Sequence, residues 1–153
     1  MRNIFFDLDG VIRDLVKAIG YNPQTWDDPL PDGRSLYQFF DDNPDALLSA
    51  PPTEYYEVIR DREIVIFTCQ PERWIKNTLA WIALYLPKAT PVIFQKPEDK
   101  LKLLNGYLVE DYPNFSDYSK VILIDKPYNS HIENCYARVW TPDGLRDILR
   151  EVE

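Results

Sequence analysis

Asp7 and Asp9 stand one residue apart at the end of the apolar run Ile4–Phe6. Carboxylates at the end of a buried run are costly to desolvate, so they require a cation or a substrate that offsets the cost. Gly10 comes directly after them and lets the chain turn away tightly. The plainer alternative, a strand end whose acids cap the next segment, suits one Asp better than a pair beside Gly10 and Asp14. Later in the chain Thr68, Lys100, Glu110 and Asp111 also follow or close short apolar runs. Two carboxylates about 4 Å apart repel by about 4 kcal/mol at an effective dielectric of about 20, so three or four together call for a cation. An all-oxygen ligand set without His or Cys suits Mg²⁺, a hard ion that keeps waters and favours phosphate oxygens. A hydroxyl and an ammonium beside it suit the remaining phosphoryl oxygens. An ionised Asp can attack phosphorus, and a second Asp can protonate the leaving alcohol and then activate water. These parts fit hydrolysis of a phosphate monoester.

Such a set needs a scaffold that gathers residues distant in sequence. Short unalternating apolar runs, Ile4–Phe6, Ile64–Phe67, Val92–Phe94, Tyr107–Val109 and Val121–Ile124, read as strands buried on both faces, with Ala137–Trp140 as a sixth candidate. Helices are expected from Thr53 to about Arg60, from Pro71 to about Leu86, from Glu98 to Leu104, and from Thr141 onward. On the second of these, Ile75, Leu79, Ile82 and Leu86 share one face, and Trp74, Trp81 and Tyr85 form another stripe. That stripe belongs to the core or to a contact between two copies, so a homodimer stays open. The alternation of strands and helices predicts an α/β fold, a Rossmann-like parallel sheet with helices on both faces in three layers. Its binding crevice lies outside the carboxyl ends of the strands, which gathers Asp7, Asp9, Thr68 and Asp111 at one edge. Residues 15–52 differ in texture, rich in Pro and Asp, and read as a small insert after strand one. Within it Ser35 caps a short helix whose Leu36, Phe39 and Phe40 share a face.

The chain of 153 residues suits one domain, 1–153, with 45% hydrophobic and 14% aromatic residues. No secretory signal is expected, because Asp7 and Asp9 interrupt the N-terminal apolar run. No stretch approaches the roughly 18 apolar residues that span a bilayer. The 2 cysteines are too few for a disulfide framework or a structural zinc site, which predicts a cytoplasmic, reducing setting. A net charge of −8 disfavours nucleic acid as a partner, but a small anionic substrate can be met by local charge.

The segment Asp7-Leu-Asp9-Gly-Val-Ile-Arg-Asp14 resembles the first motif of the haloacid dehalogenase (HAD) superfamily, and Thr68, Lys100 and Glu110-Asp111 resemble its later motifs in order. The 5'(3')-deoxyribonucleotidase branch is the most similar. That branch has Thr-Ser-Pro where this chain has Thr68-Cys69-Gln70-Pro71, an Asp-Lys pair matching Asp99-Lys100, and residues matching Pro113 and Asn129. The resemblance spans most of Met1–Asn129 apart from the insert, which is shorter than in mammalian-type enzymes. It implies a HAD-like fold whose insert is a small cap, Mg²⁺ as cofactor, and a nucleoside monophosphate as the small phosphomonoester substrate. Asp7 would then be the nucleophile and a metal ligand, and Asp9 the general acid/base with its carbonyl on the metal. Thr68 and Lys100 would bind the phosphoryl group, Asp111 would hold the metal, and Glu110 would support it. Glu110 departs from the usual Asp, and Cys69-Gln70 from a small polar residue. Alternatives are another small phosphoester, an oligonucleotide terminal phosphate, or a non-catalytic HAD-fold protein that binds Mg²⁺ or nucleotide.

Several residues have rivals or plainer roles. Lys96 also follows the third strand, but the spacing to Glu110-Asp111 favours Lys100. Asp125 ends the fifth strand and competes with Asp111. Asp14 could cap the next segment, Asp117 and Asp143 suit turn and helix-start positions, and His131 suits a loop. Cys69 lies beside Thr68, without an identifiable base that would activate it. Tyr21, Trp26, Tyr37, Phe39 and Phe40 either stack on a base or pack the insert onto the body.

Overall fold

The apolar run at the N-terminus forms β1 (Asn3–Phe6), which lies at the centre of a six-stranded sheet. The computed structural model describes residues 3–153; the first two residues of the expected 1–153 domain lie outside the described ones. The other strands are β2 (Val65–Cys69), β3 (Thr90–Phe94), β4 (Gly106–Glu110), β5 (Val121–Ile124) and β6 (Ala137–Val139). Their order is β3-β2-β1-β4-β5-β6, and every pair is parallel. β4 and β5 are buried along their whole length, as continuous apolar runs in a covered parallel sheet require. The chain moves outward from β1 to β3 and then crosses back to place β4 on the other side of β1. That reversal opens the crevice between the carboxyl ends of β1 and β4, where α/β sheets bind ligands.

The helices are α1 (Leu36–Asp42), α2 (Asp45–Ser49), α3 (Tyr56–Ile59), α4 (Ile75–Tyr85), α5 (Asp99–Lys102) and α6 (Pro142–Val152). One face of the sheet packs Phe6, Ile66, Val109 and Ile122 against Ile59 of α3, Trp81 and Ile82 of α4 and Leu145 and Leu149 of α6. The opposite face, Phe5, Phe67, Phe94, Leu108 and Leu123, meets Leu101 of α5 and the loop residues Phe115 and Tyr118. The second layer is thus one short helix and an aromatic loop, thinner than the expected set of helices, because the β3–β4 and β4–β5 connections are short. Among the described residues no helix is long and apolar enough to cross a membrane.

The expected helix from Pro71 instead begins as a tight turn, Glu72–Trp74, before α4. Its buried residues are Trp74, Thr78, Trp81 and Ile82, while Leu79 is exposed. The helix is apolar around most of its circumference, and packing buries Trp81 together with Ile82 and Leu86 of the expected aliphatic face while leaving Leu79 of that face outside. Trp81 donates to Ala50 O and stacks on Tyr85, so this stripe is used by the chain's own packing. Trp74 joins Leu15, Phe40, Leu47 and Ala50 in a small core that seats residues 15–52 on α4. The Ser35 cap is present as a reciprocal box: Ser35 Oγ accepts from Gln38 N, and Gln38 Oε1 accepts from Ser35 N.

Candidate functional site

β1 ends at Phe6, and strand alternation sends Asp7 to the face of Phe5 and Leu8 to the face of Phe6. β4 likewise carries Glu110 on the face of Leu108. Parallel pairing of β1 with β4 therefore brings Asp7 and Glu110 together, with Asp111 one residue beyond. One carboxylate oxygen from each of Asp7, Glu110 and Asp111 lies within 4.8 Å of the other two, and the three residues are buried. Lys100, presented by α5, lies between two of them, its Nζ 2.9 Å from Asp7 Oδ1 and 2.8 Å from Glu110 Oε2. Lys96 is exposed. Glu110 Oε1 also accepts from the backbone N–H of Asp111 at 3.0 Å, so the longer Glu arm folds back onto its own loop.

Burial, and then the neighbouring Glu110, push the Asp7 carboxyl well above the usual range, and Lys100 offsets only part of this. Glu110 is raised by burial in the same way. Asp111 is pushed up to about 7, by burial first and by Asp7 second. Burial acts against the Lys100 ammonium, but Asp7 and Glu110 outweigh it and raise its pKa. When ionised, the group carries three carboxylates against one ammonium. That surplus of negative charge in a buried, oxygen-only set fits a hard divalent cation such as Mg²⁺. Asp7 and Asp111, with Glu110 in support, are the side chains able to hold it.

Asp9 sits apart from this group. Its side chain is 25% exposed and faces the cavity, held from behind by Arg13. The loop Leu8–Arg13 closes tightly, with Ile12 N and Arg13 N both donating to Leu8 O and Gly10 N donating to Arg13 O. Gly10 has φ of +84°, and a methyl group there would run into the Asp111 carboxylate. The turn lays Arg13 back on Asp9, Nε to Oδ1 at 2.6 Å and Nη2 to Oδ2 at 3.0 Å.

Thr68 differs from its expected position. Alternation in β2 turns its hydroxyl away from the cavity, where it accepts from Gln70 Nε2 at 2.8 Å, and Cys69 lines the cavity instead. Burial raises the Cys69 thiol, which works against its forming a thiolate. Asp125 is paired to Arg138 at 2.8 Å and does not line the cavity. Asp14 Oδ1 accepts from Lys17 N at 2.9 Å, the capping role foreseen as the alternative. His131 is exposed.

The cavity holds about 470 Å³ and opens between the sheet edge and residues 15–52. Tyr21, Trp26 and Tyr37 of the insert face Trp74, Tyr112 and Tyr128 of the body across it. Trp26 meets Tyr112 and Tyr128 edge-on at 5.3 and 5.2 Å, and Tyr37 stacks on Trp74 at 5.1 Å. Phe39 and Phe40 pack inward instead.

No protein-family model matches the chain, and no curated protein sequence matches it.

Sequence reasoning gave no role to Arg13, Thr78, Lys126 and Tyr128, and met Gln70 only as a departure from the resembled motif. Tyr128 donates its hydroxyl to Asp111 Oδ2, and burial followed by Asp111 raises the phenol far above its normal range. Lys126 lines the cavity. Asn129 donates to Asp111 O at 3.1 Å and to Ile124 O at 2.8 Å, tying the loop after β4 to the end of β5. An arginine directly after the buried Val11 and Ile12 was the one signal in the sequence for Arg13, since a charge there needs a partner.

Proposed function

We propose that this protein is a Mg²⁺-dependent phosphomonoesterase that works through an aspartyl-phosphate on Asp7, with nucleoside monophosphates as substrates. The observation that carries this reading is Lys100 lodged between Asp7 and Glu110, beside Asp111, at the floor of an aromatic-walled cavity. The resemblance of the strand-end motifs to HAD phosphatases, the nucleotidase branch in particular, supports it from the sequence side.

Asp7 attacks phosphorus through a carboxylate oxygen, and the phosphorus–oxygen bond to the alcohol breaks. Asp9, entering in its protonated form, gives that proton to the leaving oxygen and, as the resulting carboxylate, takes one from the water that attacks the phosphorus of the aspartyl-phosphate. Inorganic phosphate departs and Asp7 is free again. Lys100 fixes the aim of Asp7 and offsets part of the burial that disfavours its charged form. A bound Mg²⁺ would offset the negative charge of the acids and of the phosphoryl oxygens during transfer. Lys126 offers a further positive charge at the cavity wall. A cavity of about 470 Å³ is in the range for small-molecule sites, and its aromatic walls suit stacking on a base. The fold around it is Rossmann-like, and in this reading residues 15–52 act as the small cap.

The test is phosphate release from deoxy- and ribonucleoside 5'- and 3'-monophosphates and an aryl phosphate, with Mg²⁺ or EDTA. Activity that disappears in EDTA and in Asp7→Asn and Asp9→Asn supports the mechanism, and the ranking of substrates identifies the class. Well-folded wild type that releases no phosphate from any of them overturns the proposal. In that event a rise in melting temperature with Mg²⁺ and nucleotide would indicate a binding protein.

A further inference from the structure

Asp9 belongs to the cavity wall, but the groups that hold it do not. Arg13 is fully buried and takes both Asp9 oxygens in a bidentate pair. Two further donors are used behind the site: Nη1 donates to Leu47 O of α2 at 3.0 Å, and Nη2 also donates to Thr78 Oγ1 of α4 at 3.1 Å. The guanidinium carbon stands 5.9 Å from the Trp81 ring centroid. Gln70 completes the frame, donating from Nε2 to Asp9 Oδ2 at 2.7 Å while its Oε1 accepts from Thr78 Oγ1 at 3.0 Å. Thr78 is therefore the one hydroxyl that touches both groups holding Asp9, and neither Thr78, Arg13 nor Gln70 lines the cavity. Nothing in this frame reaches a substrate. Its residues come from the first loop, the end of β2 and the middle of α4, and they converge on a single carboxylate.

We infer that Arg13, braced by Thr78 and Gln70, is a positioning residue that aims Asp9 at the leaving oxygen. The inference rests on the phosphatase reading of Asp9. A carboxylate free to rotate would spend time away from the line to the leaving group, and small losses of alignment at a proton donor are expensive in rate. The leaving group supplies the discriminating readout. An aliphatic alkoxide needs a proton as it departs, whereas 4-nitrophenolate, a weak base, leaves with little help. A misaimed Asp9 therefore harms the first kind of ester and spares the second.

The experiment measures kcat/KM of the full chain with saturating Mg²⁺ on a nucleoside 5'-monophosphate and on 4-nitrophenyl phosphate, for wild type, Thr78→Val, Arg13→Met and Arg13→Lys. Thr78→Val is expected to lose about tenfold on the nucleotide and less than about twofold on the aryl ester. Arg13→Met loses more, with the same selectivity, and Arg13→Lys recovers part of it through a single contact. If Arg13→Met does not fold, Thr78→Val carries the test, since it keeps the shape and removes one hydroxyl. Equal losses on both esters, or no loss from either variant, overturn the positioning role while leaving the phosphatase reading intact. Wild type inert toward both esters overturns that reading and this inference with it.

Discussion

The backbone of Gly10 presses against the Asp111 carboxylate: a methyl group built on Gly10 would stand 2.8 Å from the Asp111 carboxyl carbon. The turn after β1 and the acid after β4 therefore share one space, open only to a residue without a side chain. Gly10→Ala must also adopt φ of +84°, which adds a cost of about 1 kcal/mol or more to the clash. The expected outcome is a lower melting temperature together with weakened Mg²⁺ dependence of activity, because Asp111 has to move. Thermal unfolding and a Mg²⁺ titration check it. Unchanged values in both would show that the turn has room to spare.

Lys100 is nearly enclosed by its two partners, with 3% of its side chain exposed. Removing one member of a buried charge set costs about 3–5 kcal/mol, since the others are left uncompensated. Lys100→Met should therefore be markedly destabilised, and inactive even where it folds. Added Mg²⁺ should recover more stability in this variant than in wild type, because the ion replaces a lost cation. Equal Mg²⁺ responses in calorimetric scans would argue against a shared charge balance.

Asp125 and Asp111 both follow strands but are held differently, one by Arg138 outside the cavity and the other beside Asp7 within it. Asp125→Asn is expected to keep phosphate release within about twofold of wild type, as a substitution remote from the chemistry should. Asp111→Asn should lose nearly all of it. Steady-state rates for the two variants decide between these acids, and the reverse ranking would transfer the metal role to Asp125.

In the metal-free protein the buried acids set a pH dependence whose sign is fixed. Asp111 is raised to about 7 in the folded chain, by burial and by Asp7, from an unfolded value near the ordinary ~3.9. The folded state thus binds its proton more tightly, so this contribution is greatest below about pH 4 and is lost as pH rises to about 7. Asp7 and Glu110 are shifted in the same direction. In EDTA the melting temperature should fall across about pH 4 to 7, and saturating Mg²⁺ should flatten that slope by taking the place of the protons. A slope identical with and without the ion would count against a metal at this site.

Tyr128 reaches Asp111 from the turn after β5, and its hydroxyl donates there. Groups that orient a metal ligand from outside typically change metal affinity by about ten- to a hundredfold when removed. Tyr128→Phe should raise the Mg²⁺ concentration needed for half-maximal activity by roughly that factor, with the rate at saturation less affected. Titrating Mg²⁺ against activity separates the two effects. A loss confined to the saturated rate would assign Tyr128 to the substrate instead.

Much of this arrangement was legible in the chain itself. Short apolar runs without polar alternation read as strands covered on both sides, and their alternation with helices points to a parallel sheet. Acids at the ends of such runs, Asp7 and Glu110-Asp111, then fall at one edge of the sheet, and the pairing of β1 with β4 brings them together. The Ser35 cap was legible for the same reason: its partner Gln38 is near in sequence, and the bond depends on local geometry alone. Other features depended on distance or on a choice between faces. Thr68 was the expected phosphoryl contact, but β2 runs on through Cys69, and alternation along it turns Cys69 to the cavity. Leu79 and Trp81 were both plausible inward residues on a helix apolar nearly all round, and only the insert and sheet packed against it made the choice. Arg13 is only four positions from Asp9, but Gln70 is 61 positions away and Thr78 a further 8, so no local pattern links those two to it. The sequence determined which chemistry stands at the strand ends, because that depends on residue type and period. Tertiary structure alone decided how the acids are aimed, because aim depends on buried contacts that close only when the whole sheet has formed.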